Sequence, residues 1–80
     1  MSNTDKLYAV FREVLGATSV DDTTTRGDIP GWNSLQMINL ILALEETFSV
    51  QFTPEESVEM LSVGLVKDIL SEKGITFTGN

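Results

Sequence analysis

The chain contains neither cysteine nor histidine. The first absence excludes disulfides, thiolate nucleophiles and thiolate metal ligands, and the second removes the side chain best suited to proton transfer near neutral pH. Catalysis would have to rest on carboxylates and hydroxyls alone. Long hydrophobic runs are missing too: no apolar stretch approaches the roughly 18 residues that cross a bilayer. The first ten residues, MSNTDKLYAV, hold no basic segment leading into an apolar one. A protein without a membrane span or signal peptide, soluble and cytoplasmic, is the expectation.

Positive charge is the other scarce component. Five basic residues face twelve acidic ones, for a formal net charge of −7, and no Lys or Arg occurs between Arg26 and Lys67. Asp28, Glu45, Glu46, Glu55, Glu56 and Glu59 all lie inside that gap. Phosphate neutralisation needs clustered cations, so nucleic acid is an unsuitable partner and a basic protein surface the better one.

With 41% hydrophobic residues and two prolines the composition is that of a folding chain, and 80 residues suffice for one small core. Residues 1–80 are expected to form a single, monomeric domain. Leu7, Val10, Phe11, Val14 and Leu15 follow one apolar helical face, with Asn3 or Thr4 as cap and Gly16 as stop. Ala17 to Trp32 form a long connection rich in Thr, Asp and Gly, which either shapes a site or merely crosses between helices, anchored by Val20 and Ile29.

The second helix is expected from Ser34 to about Phe48, with Asn33 as N-cap and Gln36 completing a capping-box-like pair. Leu35, Ile38, Ile41, Leu42 and Phe48 can supply a buried stripe, while Met37, Leu40, Ala43 and Leu44 carry the apolar surface further round. Thr53, Pro54 and Glu56 announce a short third helix through about Leu61. Ser62 then caps a fourth, whose Val63, Val66, Ile69 and Leu70 repeat the period before Gly74 stops it. The tail Ile75 to Asn80 is expected to be loosely held. The fold class is therefore all-α, three longer helices and one short third helix, without strands.

Ser34 has the setting that calls for explanation. It stands in the first turn of the longest helix, where free backbone N–H groups and the positive end of the helix dipole favour an anion. A serine there can also serve simply as part of the cap.

The stretch GWNSLQMINLILALEETFSVQFTPEE resembles the attachment region of acyl carrier proteins. In that family an Asp-Ser-Leu motif opens the second helix, and a Glu-Glu-x-Phe-x-Val-x-Phe/Ile run follows. Here the matching residues are Asn33-Ser34-Leu35 and Glu45-Glu46-Thr47-Phe48-Ser49-Val50-Gln51-Phe52. The resemblance implies a four-helix bundle of acyl-carrier type with a long first loop. Its Ser34 would accept phosphopantetheine from coenzyme A through a magnesium-dependent phosphopantetheinyl transferase. The sulfur that carries an acyl thioester would thus arrive with the cofactor.

The same resemblance implies partners, acyl-processing enzymes with basic surfaces, that meet Glu45, Glu46, Glu55, Glu56 and Glu59. Leu35, Leu40 and Leu42 would be apolar contacts. The family's aspartate is Asn33 here, which keeps the cap but not the charge, so slower loading is expected. Gln36 and Asn39 are neutral where many members carry acids, which points to a specialised partner set. An aminoacyl or peptidyl carrier would share the fold and the serine. An unmodified helical adaptor binding a basic partner is the reading from another class. An enzyme finds least support, because Ser34 has no histidine to activate it.

Overall fold

The computed structural model describes residues 2–77. Four helices follow one another as α1 (Asn3–Leu15), α2 (Ser34–Phe48), α3 (Pro54–Val58) and α4 (Val63–Glu72), with a single 3-10 turn at Arg26–Asp28 inside the first loop. The described residues form no strand; their one ladder-type pairing is an isolated bridge between Thr25 and Ser62. The expected all-α, acyl-carrier-type bundle is what the chain builds.

Each helix starts where a short polar side chain can accept an unpaired N–H. Ser2, not Asn3 or Thr4, caps α1: its hydroxyl accepts from Asp5 N, and Asp5 reaches back to the Ser2 N–H. Asn3 is already helical, and its amide donates to the Thr76 carbonyl at 2.8 Å. Gly16 ends the helix in the left-handed region at φ 69°, as expected. Thr53 and Glu56 close a complete capping box over α3, with Pro54 in the first turn. That helix stops at Val58, three residues short of the expected Leu61. Ser62 caps α4 by accepting from Leu65 N.

The core gathers Leu7, Val10, Phe11 and Leu15 from α1, Leu40, Leu44 and Phe48 from α2, and Val63, Val66, Ile69 and Leu70 from α4. Met60 closes it from the α3–α4 link. The stripe expected on α2 is corrected by this arrangement. Leu35, Ile38 and Leu42 stand 77%, 61% and 57% exposed, while Leu40 and Leu44 are fully buried. A helix apolar nearly all round has no face marked as inward by its own residues, and α1 and α4 decide which side is covered. Leu40 is therefore a core residue and not a partner contact.

The first loop is bound to the start of α4. The Val63 N–H donates to the Thr24 carbonyl at 2.9 Å, Gly64 to Asp22 at 3.0 Å, and Arg26 donates to Leu61 at 3.1 Å. A Cβ at Gly64 would lie 2.9 Å from the Asp22 carbonyl oxygen, so the approach requires glycine. Ile29 is buried and Val20 packs against the core, the two anchors expected. Ile75 and Phe77 also pack against the core, with the Phe77 ring 6.2 Å from that of Phe48. The expected loosely held tail thus begins with two packed residues, and its part at 78–80 lies outside the described residues.

Asp22 ties the loop to two helices through its side chain. It accepts from the Tyr8 hydroxyl at 2.7 Å and pairs with Lys67 at 3.0 Å. Burial, and then the hydrogen bond to Asp22, pushes the Tyr8 phenol up to about 12. The Tyr8 hydroxyl holds the Asp22 carboxyl below its usual range; burial opposes this and Lys67 reinforces it. A raised phenol value means the folded state holds its proton more tightly. That stabilisation is complete below the ordinary value of 10.0 and lost as pH rises towards about 12. The depressed carboxyl acts oppositely, stabilising above the ordinary 3.8 and losing this as pH falls through its folded value. Thermal midpoints measured against pH should therefore fall at the alkaline end, and Tyr8→Phe should reduce that fall.

Candidate functional site

The loop arrives at α2 through Gly31-Trp32-Asn33. Gly31 passes so close to the end of α1 that a Cβ there would meet the Leu15 carbonyl oxygen at 2.4 Å. That passage lets Trp32 turn into the core, where it is 3% exposed. Its ring meets Phe11 edge-on, with centroids 5.0 Å apart at 62°. The indole N–H donates to Met37 Sδ at 3.1 Å. Trp32 thus seats the peptide just before Ser34, and the core face of α2's first turn, on one buried aromatic pair. A tryptophan directly behind Pro30-Gly31 at the end of a mostly polar loop was the available sequence signal for this anchor.

Asn33 caps α2 as expected, its Oδ1 accepting from Gln36 N at 2.9 Å. The capping-box-like pair is not completed. The Gln36 side-chain Oε1 instead accepts from Asn39 Nδ2 at 2.8 Å, one helical turn on, and leaves the Asn33 N–H to the Gly31 carbonyl at 3.1 Å. The first turn of α2 carries no acid. The positive end of a 15-residue helix is therefore uncompensated by any side chain of its own first turn.

Ser34 is the first residue of this helix and is exposed. No described residue hydrogen-bonds its hydroxyl. Two of the four leading N–H groups of such a helix, those of Ser34 and Leu35, lie next to that oxygen with no acceptor inside the helix. The arrangement suits a phosphoester: a free hydroxyl for the covalent link, backbone donors for the phosphate oxygens, and a dipole end of opposite sign. It lacks a base, so the hydroxyl is presented rather than activated.

The other expected site residues divide into three groups. Leu35, Ile38, Leu42 and Glu46 form one exposed line down α2 at helical spacing, starting beside Ser34. Ile38 belongs to it although the sequence reading placed that residue in the core. Glu55 and Glu59 are exposed near α3. Glu45 and Glu56 are held by the chain itself. Glu45 accepts from Phe52 N at 2.9 Å, and Glu56 closes the α3 cap and pairs with Lys73 at 2.8 Å. The hydrogen bond from Lys73, followed by the Thr53 N–H, lowers the Glu56 carboxyl below its usual range.

Among the described residues no helix is long and apolar enough to cross a membrane, and no cluster of carboxylates could hold a metal ion. No curated protein and no solved structure matched the chain. A family model described as the phosphopantetheine attachment site matches residues 5–70, from α1 to within α4, so Ser34 and its helix lie within the matched span. Domains of this kind carry phosphopantetheine covalently and serve as carriers rather than catalysts. A four-helix chain with this span of agreement belongs to the phosphopantetheine-attachment family of carrier domains.

Proposed function

We propose that Ser34 is the attachment residue and that the chain carries acyl groups, delivering them to enzymes with basic surfaces. The observation that carries this reading is the exposed, unbonded hydroxyl at the tip of α2. The Ser34 oxygen bonds to the coenzyme A phosphorus nearer the pantetheine arm, the adenosine-side phosphate leaves, and the transferase takes the hydroxyl proton. Once attached, the arm supplies a thiol on which an acyl group is held as a thioester. The chain contributes a fixed anchor point: Trp32 seats the preceding peptide, and Asn33 sets the helix start.

Intact mass after incubation with coenzyme A, magnesium and a broad-specificity transferase tests the attachment. Wild type should gain the mass of one phosphopantetheine, and Ser34→Ala should gain nothing while keeping its helical circular dichroism. Loading of Ser34→Ala would move the attachment elsewhere. Charging of the loaded protein by an acyl-activating enzyme in preference to an aminoacyl-activating one separates the acyl carrier from the aminoacyl or peptidyl kind.

Asn33 tunes the same reaction. An aspartate there keeps the cap and restores a negative charge worth about 0.3–1 kcal/mol at a helix N-terminus. Asn33→Asp should load faster than wild type at equal transferase concentration, followed as the loaded fraction over time. Asn33→Ala should instead lower stability by about 1 kcal/mol through loss of the cap. The line Leu35, Ile38, Leu42 and Glu46 is the surface on which processing enzymes meet the carrier, with Glu55 extending its charge.

A further inference from the structure

An open cleft of about 410 Å³ lies between α3 and α4, away from α2 and its serine in the residues that line it. Leu61, Leu65 and Ile69 form its apolar part, and Glu56, Glu59, Asp68 and Glu72 its acidic part. Leu61 and Leu65 remain 52% and 42% exposed. Lys73 neutralises Glu56 at 2.8 Å. Among the described residues Glu59, Asp68 and Glu72 have no ion pair. The cleft thus combines uncovered leucines with three unpaired carboxylates.

We infer that this cleft is a second docking surface, taking an amphipathic helix of a partner protein whose apolar residues are flanked by Arg or Lys. Charge and apolarity together choose that occupant. A second copy of this chain would bring a formal charge of −7 against the same carboxylates. A purely apolar guest would cover the leucines and leave the acids desolvated without partners. Arg and Lys lay apolar stems along such a floor and keep their charge at the rim. A groove with apolar anchors suits a helix, and opposite charge at its edge sets orientation and encounter rate. The proposal is independent of whether Ser34 is loaded, so it stands or falls separately from the carrier assignment.

The test is a titration of the unmodified, isotope-labelled chain with a synthetic helical peptide bearing Leu on one face and Arg beside it, followed by backbone amide shifts. Saturable shifts over residues 61–72 are expected, equal in Ser34→Ala. Affinity should fall by about tenfold or more in the double variant Asp68→Lys, Glu72→Lys, and similarly in Leu65→Ser. The milder pair Asp68→Asn, Glu72→Gln gives the same direction should charge reversal disturb the fold. Absence of saturable binding overturns the proposal, as does equal affinity for a peptide with Glu in place of Arg. Shifts confined to α2 that disappear with Glu46→Lys would place the peptide on the other surface and overturn it equally.

Discussion

Trp32→Ala should cost about 3–5 kcal/mol, the range for removing a buried aromatic side chain and leaving a cavity. A domain of this length has only about 4–12 kcal/mol in total, so the variant should stand near the edge of unfolding. Its urea midpoint, followed by circular dichroism because the single tryptophan is lost as a probe, should drop steeply. Trp32→Phe should lose less, since a ring still meets Phe11 and the losses are the N–H to Met37 and the part of the indole that a phenyl ring does not fill. The consequence reaches the serine. With Trp32 absent, the peptide ahead of Ser34 loses its buried anchor, and loading should slow even at temperatures where the helices persist. An unchanged midpoint in Trp32→Ala would show that the ring does not hold this corner of the core.

Leu40→Ala and Leu42→Ala should behave oppositely although they lie only two positions apart. Leu40 is fully buried, and its truncation should cost about 2–5 kcal/mol. Leu42 is 57% exposed, and its truncation should change stability by no more than about 0.5 kcal/mol. In binding the order reverses: Leu42→Ala should weaken association with an acyl-processing enzyme, while Leu40→Ala, at a temperature where it is folded, should leave it intact. Paired denaturation and affinity measurements on the two variants decide which side of α2 faces outward. Equal stability loss in both would refute the orientation described here.

The second experiment falls on α2, the element whose buried side the sequence left open. The starts of α2, α3 and α4 were legible because capping is local: Asn33, Thr53 and Ser62 each accept an N–H group three residues on. The end of α1 was legible in Gly16 for the same reason. The α1 cap was misplaced by one or two residues because Ser2, Asn3 and Thr4 are all competent caps in succession. The box at Asn33 failed because Gln36 had a second partner one turn further along, in Asn39. Leu40 was misassigned for a different reason. Leu35, Ile38 and Leu42 are as apolar as Leu40 and Leu44, so periodicity alone offered two faces of similar strength.

The candidate site was partly readable in the same way. Ser34 follows from its place behind a cap at the start of the longest helix, and the acyl-carrier resemblance rested on residues contiguous in the chain. Glu45 and Glu56 looked identical to their neighbours as charges. Only the fold brings Phe52 N to the first and Lys73 to the second, occupying them internally.

By itself the sequence determined that the chain is helical, acidic and free of thiol and imidazole chemistry, where α2, α3 and α4 start, and which serine stands at a helix tip. These properties depend on composition and on contacts spanning three or four residues. Tertiary structure alone decided which side of α2 is buried, why glycine and tryptophan precede the serine, which glutamates remain free, and that α3 and α4 leave an acid-rimmed cleft. Those outcomes depend on what Leu15, Phe11, Lys73 and the α4 leucines bring from other elements of the chain, and no pattern within one helix or loop encodes a contact made between elements.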